Sequence, residues 1–321
     1  MVNTLTKNEL LSIYEKMYTI RKFEESTVKY YAQGQIPGFV HLYIGEEAIS
    51  SGVCAALNKD DYITSTHRGH GHLIAKGGDI NKMMAELFAK STGYCKGKGG
   101  SMHISDLSLG IMGSNGIVGA GFSIAAGVGV AAKMRDAGQV CICFFGDGAT
   151  NRGTFHESAN MASVFKLPII YVCENNSYGI SACVKDIMNI SDIAVRASSY
   201  GMPGIKIDGN NAIEVYNTAK SAIDLARSGG GPTFIEAVTW RHRGHWEGDP
   251  DNYRSAKQRE EGQAKDPIPR LAEYLVSRGI ATKDEVTNIE NNVISSMENA
   301  VDFAKKSPFP ELKELYTDVY A

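Results

Sequence analysis

The chain has 321 residues, a net charge of -3, 34 glycines and six cysteines. That length allows one large or two small domains with an ample core, and the mildly acidic balance argues against nucleic acid as a main partner. None of the cysteines forms a Cys-x-x-Cys pair, and Met1-Val2-Asn3-Thr4 opens without a basic stretch and apolar run, so reduced thiols, no secretory leader and a cytoplasmic location are expected.

Thr6-Lys7-Asn8-Glu9 has the spacing of a capping box and predicts a helix running to Ala32. Its apolar face comprises Leu10, Ile13, Tyr14, Met17, Ile20 and Val28, and Gly34 and Pro37 end it. A second helix over 46–57, a short strand over 62–65 and a helix over 81–88 follow. Residues 93–116 are glycine-rich and too long for an idle connector, which favours a binding loop. Residues 117–132 form the longest uncharged apolar stretch. It falls short of a membrane span and, rich in Gly and Ala, reads as a tightly packed buried helix, so no membrane association is expected.

Two apolar β-branched and aromatic runs come next, over 140–145 and 167–173, each ending in turn residues. They read as buried parallel strands joined by a crossover helix over 150–166, a βαβ unit. A loop over 181–203, a strand over 205–207, a helix over 212–227 and a strand over 232–240 follow. Residues 241–265 are polar with little hydrophobic period, and helices over 269–278 and 283–305 close the chain, the last opened by Thr282-Lys283-Asp284-Glu285 and stopped by Pro308. No repeat or linker is visible. The expectation is a single α/β domain over 1–321, a mostly parallel sheet sandwiched by helices, with extra N- and C-terminal helices.

Asp147 and Asn176 emerge at the carboxyl ends of the two βαβ strands, where open α/β sheets bind ligands. A carboxylate, a carboxamide and a backbone carbonyl make a hard oxygen site suited to Mg2+, which keeps open positions for phosphate oxygens.

Gly146-Asp147-Gly148 followed by Asn175-Asn176 resembles the thiamine-diphosphate motif. The resemblance implies a thiamine-diphosphate-binding fold in which Asp147, the Asn176 side chain and the Tyr178 carbonyl hold Mg2+ against the diphosphate. Gly146, Gly148, Ala149 and Gly179 would then lie at the cofactor. Further segments extend the likeness over nearly the whole chain, in order. Gly38-Phe39-Val40-His41 implies Phe39 and His41 at the cofactor. Thr66-His67-Arg68-Gly69-His70-Gly71 implies Arg68 on the diphosphate with His67 beside it. Gly97-Lys98-Gly99-Gly100-Ser101-Met102-His103 and Asn115-Gly116-Ile117-Val118-Gly119 imply backbone of Gly116 and Val118 at the aminopyrimidine ring. Arg241-His242-Arg243-Gly244-His245 implies a late active-site loop carrying His245.

Together these segments resemble the alpha subunit of the thiamine-diphosphate-dependent component of 2-oxo acid and acetoin dehydrogenase complexes. The resemblance implies carbon–carbon cleavage of a small-molecule substrate, with the cofactor ring as electron sink and transfer of a two-carbon unit to a lipoyl acyltransferase. It also implies a beta subunit that supplies the activating glutamate within an alpha-two beta-two assembly, with the stretch from Gly119 to Ala132 as a candidate subunit contact. The run from Arg241 to Pro250 is closer to acetoin-type bacterial sequences than to pyruvate enzymes. Trp246 stands where animal pyruvate enzymes carry a regulatory serine. Acetoin is therefore the expected substrate and pyruvate the alternative.

His41, His70 and His245 are the candidate catalytic residues, because imidazole can move protons near neutral pH. His72, His103, His156 and His242 read as structural or peripheral. His67-x-x-His70-x-His72 invites a zinc reading, but it sits in a glycine turn without matching cysteines. A nicotinamide oxidoreductase is disfavoured, since Gly119-Ala120-Gly121-Phe122-Ser123-Ile124 lacks the third glycine of that fingerprint. A non-enzymatic scaffold is disfavoured because Asp147, Asn176 and Arg68 are all present.

Overall fold

The computed structural model describes residues 5–319, so the reading of residues 1–4 as free of a leader lies outside the described residues. Helix α1 (Lys7–Ala32) starts at its capping box: Thr6 Oγ1 accepts from the Glu9 amide at 3.3 Å, and Glu9 Oε2 accepts from the Thr6 amide at 2.8 Å. Leu10, Ile13, Tyr14, Met17, Ile20 and Phe23 recur every three or four residues and are buried, while Val28 is half-buried. Helix α2 (Glu47–Ala55) leads to strand β1 (Tyr62–Thr64) and helix α3 (His70–Lys76). Helix α3 departs from the expected glycine turn. Helix α4 (Ile80–Leu87) is capped by Asp79, whose carboxylate accepts from the Asn81 amide.

Residues 93–116 are irregular apart from a 3-10 turn at Leu107–Leu109 and bridges of Ile111 to Ile63 and to Asp106. Helix α5 (Ala120–Arg135) follows, then the expected βαβ unit: β2 (Cys141–Gly146), α6 (Gly153–Val164) and β3 (Ile169–Asn175). The expected loop over 181–203 holds more structure than its composition suggests. It contains β5 (Ala182–Cys183) paired with β4 (Tyr178–Gly179), the short α7 (Val184–Ile187) and a 3-10 helix at Ile193–Tyr200. Then come β6 (Gly204–Asp208), α8 (Ala212–Arg227) and β7 (Thr233–Val238). The polar stretch 241–265 contains an unexpected helix, α9 (Ala256–Gln263), opened by a Ser255–Gln258 capping box. Helices α10 (Pro267–Ser277) and α11 (Lys283–Lys306) follow, with a short 3-10 helix at Leu312–Tyr316 after them.

Five strands form one sheet in the order β1-β2-β3-β7-β6, and every neighbouring pair is parallel. Alternate side chains of the central strands leave opposite faces. Ile142, Phe144, Ile170, Val172 and Ile235 join one core with residues of α1, α2, α4, α8 and α11. Cys141, Cys143, Phe145, Ile169, Tyr171 and Phe234 join a second core with α5 and α6. The central strands are buried on both faces, which is why they read as continuous apolar runs rather than alternating ones. A third cluster ties α1 to α10 through Leu10, Tyr14, Met17, Leu271 and Leu275.

Helix α5 corrects one expectation. Phe122, Ala125, Val128 and Ala132 pack inward, but Ile124 and Met134 are exposed and Gly127 faces open space, so only one face is buried. Among the described residues, no helix is long and apolar enough to cross a membrane. The parallel sheet gathers the ends of β1, β2, β3 and β7 at one edge. Arg68 follows β1, Asp147 follows β2, Asn176 follows β3 and Arg241 follows β7.

Candidate active site

A cavity opens at that carboxyl edge, with Asp147, Asn176, Tyr178, Arg68 and Arg241 among its lining. Asp147 is 2% exposed. Its Oδ1 accepts from the Gly148 amide at 2.6 Å, and its Oδ2 is buried with no partner among the described residues. Burial pushes this carboxyl up to about 6, against opposing help from the Gly148 amide. An orphaned, buried carboxylate oxygen calls for a cation. A side chain at position 148 would meet the Cα of Gly179 at 3.3 Å, so backbone from both segments lines a gap that only glycine leaves open.

Asn176 Nδ2 donates to Glu46 Oε1 at 2.7 Å, and its Oδ1 accepts only a long bond, 3.3 Å, from the Tyr178 amide. The oxygen is thereby left free for a second partner. Tyr178 is fixed from outside: its hydroxyl accepts from Gln258 Nε2 at 3.0 Å, and its ring packs on Trp240 and Tyr253. Glu46 is fully buried, and its Oε2 has no partner. Burial first, and the Glu174 charge second, push its carboxyl up.

Arg68 and Arg241 are 5% and 2% exposed. Arg68 donates to the Leu42 carbonyl at 2.9 Å and the His245 carbonyl at 2.6 Å, and its Nη2 lies 3.0 Å from His245 Nδ1. Arg241 donates to the Arg243 carbonyl at 3.1 Å and the Tyr253 hydroxyl at 3.1 Å. Among the described residues, neither guanidinium has a carboxylate within 4.0 Å. Two buried cations without anionic partners suit a phosphorylated ligand.

His41, His67 and His245 cluster at the mouth, with ring centroids 4.7, 5.0 and 5.5 Å apart. Burial first, and the Arg68 charge second, hold all three well below the usual histidine value: His41 to about 3 and His245 to about 4. The rings are therefore neutral at pH 7. Their ligand-type nitrogens lie within 4.8 Å of one another, but the Arg68 guanidinium against His245 disfavours a cation there. His41 Nδ1 is buried and unpartnered, a free hydrogen-bonding atom beside the cavity.

Other expected residues fall differently. Val118 lines the cavity and is 46% exposed, and Gly116 is exposed beside it. Phe39 lies outside the lining, 59% exposed, with its ring 5.2 Å from that of Trp246. His70 is fully buried and off the cavity wall. Its Nδ1 faces both Glu24 oxygens at 3.0 and 3.1 Å, and its Nε2 faces Ser101 Oγ at 3.0 Å. The three-residue zinc set is not assembled, because His72 turns instead to Ser65 and Glu174. Sequence reasoning missed Glu46, Glu174 and Arg241 as lining residues. Arg241 lies in a quoted motif and Glu46 at the start of an expected helix, so their positions were visible but their inward orientation was not.

The dehydrogenase E1 component family model matches residues 15–313. The chain belongs to this family. Members of the dehydrogenase E1 component family are oxidoreductase subunits that depend on thiamine diphosphate. The chain is 50% identical to the alpha subunit of acetoin:2,6-dichlorophenolindophenol oxidoreductase of Bacillus subtilis (strain 168), over 99% of this chain and 95% of that protein. It is 46% identical to the protein of the same name from Cupriavidus necator, over 98% and 95%. It is 41% identical to the pyruvate dehydrogenase E1 component subunit alpha of Porphyra purpurea, over 99% and 94%.

Proposed function

We propose that this chain is the alpha subunit of a thiamine-diphosphate- and Mg2+-dependent acetoin dehydrogenase. It would act with a beta subunit in an alpha-two beta-two assembly and pass a two-carbon unit to a lipoyl acyltransferase. The observation that carries the substrate is the likeness of 50% and 46% to two acetoin enzymes, against 41% to a pyruvate enzyme, over comparable coverage. The residues fit the cofactor. The orphaned Asp147 Oδ2, the under-used Asn176 Oδ1 and the Tyr178 carbonyl make the oxygen set for Mg2+. Gly146, Gly148, Ala149 and Gly179 supply close backbone, and Arg68 and Arg241 supply charge for the diphosphate.

When bound, thiamine diphosphate supplies the electron sink for carbon–carbon cleavage. The chain's own part is to hold, orient and move protons. Neutral His41, His67 and His245 can accept a proton from, or donate a hydrogen bond to, a substrate hydroxyl at the mouth. His67 and His245 line the cavity and are best placed for this, with the His41 ring packed against both. His70, held on both ring nitrogens, positions its surroundings and is removed from the proposed catalytic set. Gly116 and Val118 form the wall for the aminopyrimidine, and Phe39 packs on Trp246 outside the lining. The exposed α5 stripe of Ile124, Gly127 and Met134 is the proposed subunit contact. Six unpaired cysteines are compatible with a cytoplasmic location.

The test is co-expression with a beta subunit from the same source and assay with an artificial electron acceptor. Acetoin should be turned over with a higher kcat/KM than pyruvate. Preference for pyruvate would overturn the substrate. Thermal stabilisation by NAD but not by thiamine diphosphate with Mg2+ would overturn the cofactor.

A further inference from the structure

Glu86 lies on the last turn of α4 and is fully buried, yet no Lys, Arg or His approaches its carboxylate within 4.0 Å among the described residues. Four backbone amides surround it instead. Oε2 accepts from Cys95 at 2.8 Å and Gly97 at 2.9 Å, and Oε1 accepts from Gly99 at 2.8 Å and Gly100 at 3.0 Å. Amides of one short loop curled around one anion form a nest-like concavity, the kind of arrangement by which loops bind phosphate. Here the anion belongs to the chain itself. The fit is close: a Cβ at position 93 would lie 2.4 Å from Glu86 Oε2 and 2.6 Å from Glu86 Cα.

The nest is the root of the loop that reaches the active site. Immediately after it, Ser101 Oγ meets His70 Nε2 at 3.0 Å. His70 Nδ1 meets Glu24, and Glu24 Oε1 accepts from the Tyr43 amide at 2.9 Å, two residues from His41. On the other branch, Cys95 Sγ donates to the His103 carbonyl at 3.3 Å. The His103 ring in turn comes within 3.5 Å of where a Cβ on Gly116 would stand. From Glu86, contacts therefore run both to the segment bearing His41 and to the wall of Gly116 and Val118.

We propose that Glu86 is a positioning residue: an internal anion that fixes the root of the glycine-rich loop before any ligand arrives and so sets the aminopyrimidine-facing wall. The second half of this statement rests on the thiamine-diphosphate reading, while the first half does not. Loop 93–116 is thereby divided. Its root at residues 95–100 is held by the nest, residues 104–114 are held against β1 by bonds such as Met112 to the Ile63 carbonyl at 2.9 Å, and the exposed turn at Gly116–Val118 is left for the ligand to cover. A carboxamide cannot replace the anion, because its NH2 would face amide donors where Oε1 or Oε2 now accepts.

Hydrogen exchange on the cofactor-free chain tests the root. The amides of Cys95, Gly97, Gly99 and Gly100 should exchange slowly in the wild type and quickly in Glu86→Gln. Free exchange of these amides in the wild type would overturn the proposal. The assembled enzyme tests the wall. Because small misplacements from remote changes can cost about 100-fold, Glu86→Gln should raise the KM for thiamine diphosphate by at least about 10-fold. At saturating cofactor, kcat should recover most of its wild-type value, a split that general loss of stability would not give. If Glu86→Gln fails to fold, Glu86→Asp, which keeps the charge but shortens its reach to the four amides, takes its place in both measurements. Loss of root protection with an unchanged cofactor KM would overturn the link to the wall. A wild-type enzyme that ignores thiamine diphosphate would sink the functional reading, while the exchange measurement would still decide the nest.

Discussion

Glu46 Oε1 accepts a hydrogen bond of 2.7 Å from Asn176 Nδ2, which fixes the carboxamide so that its oxygen faces away from Glu46. The metal reading needs that orientation, since only the oxygen of an amide ligates. Partners of this kind commonly contribute about 10 to 100-fold to metal affinity. Glu46→Ala should weaken Mg2+ in the assembled enzyme by that factor. Glu46→Gln keeps an acceptor and should lose much less. Calorimetric Mg2+ titration with thiamine diphosphate present measures both, and equal affinity in Glu46→Ala and wild type would remove Glu46 from the site.

Asp147 offers a direct test of the same site. Its Oδ2 is the buried oxygen without a partner, so the proposed ligand atom has no other role in the fold. Asp147→Ala should cost at least about 10 to 100-fold in Mg2+ affinity, the loss already expected for a supporting residue. Asp147→Asn preserves shape but not charge and should fall between Ala and wild type. Mg2+-dependent cofactor affinity unchanged in both variants would refute the assignment.

Arg68 and Arg241 make a prediction specific to the diphosphate. A hydrogen bond to a charged group contributes about 1.5–3 kcal/mol. Arg68→Met and Arg241→Met should each weaken thiamine diphosphate by about 10-fold or more. Thiamine itself lacks the diphosphate, and its weak binding should scarcely change. Equal losses for the two ligands would mean that the arginines shape the cavity rather than bind the phosphates.

The sequence made the βαβ unit legible because its strands are buried on both faces and its turns are abrupt. Asp147 and Asn176 were legible because strand ends can be located from such runs. Helix α3 was hidden because His70, Gly71 and His72 carry no apolar period. Burial of α3 depends on ring contacts such as His72 on Phe144, at 4.0 Å, made across the fold. Helix α9 was hidden for a related reason: all but Gly262 of its residues are exposed or half-buried, and only its capping box marked it. The withdrawal of His70 from the cavity could not be read either. It depends on Glu24, a carboxylate on the buried face of α1 that looks solvated in the sequence.

The histidine cluster sets the last prediction. Ordinary histidines titrate near 6.5, whereas burial and then Arg68 lower His41 to about 3 and His245 to about 4. Both imidazole resonances in the cofactor-free chain should therefore stay neutral through pH 5, as followed by NMR with His41→Gln and His245→Gln for assignment. The linkage has a definite sign. From about pH 6.5 down to about 4 for His245 and about 3 for His41, the unfolded chain binds protons at these rings that the folded chain refuses, so their contribution to stability is complete above about 6.5 and is lost as pH falls through those windows. Arg68→Met should raise the His245 value, yet leave it below 6.5, because burial is the larger cause. A return to 6.5 in Arg68→Met would make charge the dominant cause, and titration of wild-type His245 near 6.5 would remove the case for a cluster of neutral rings at the mouth.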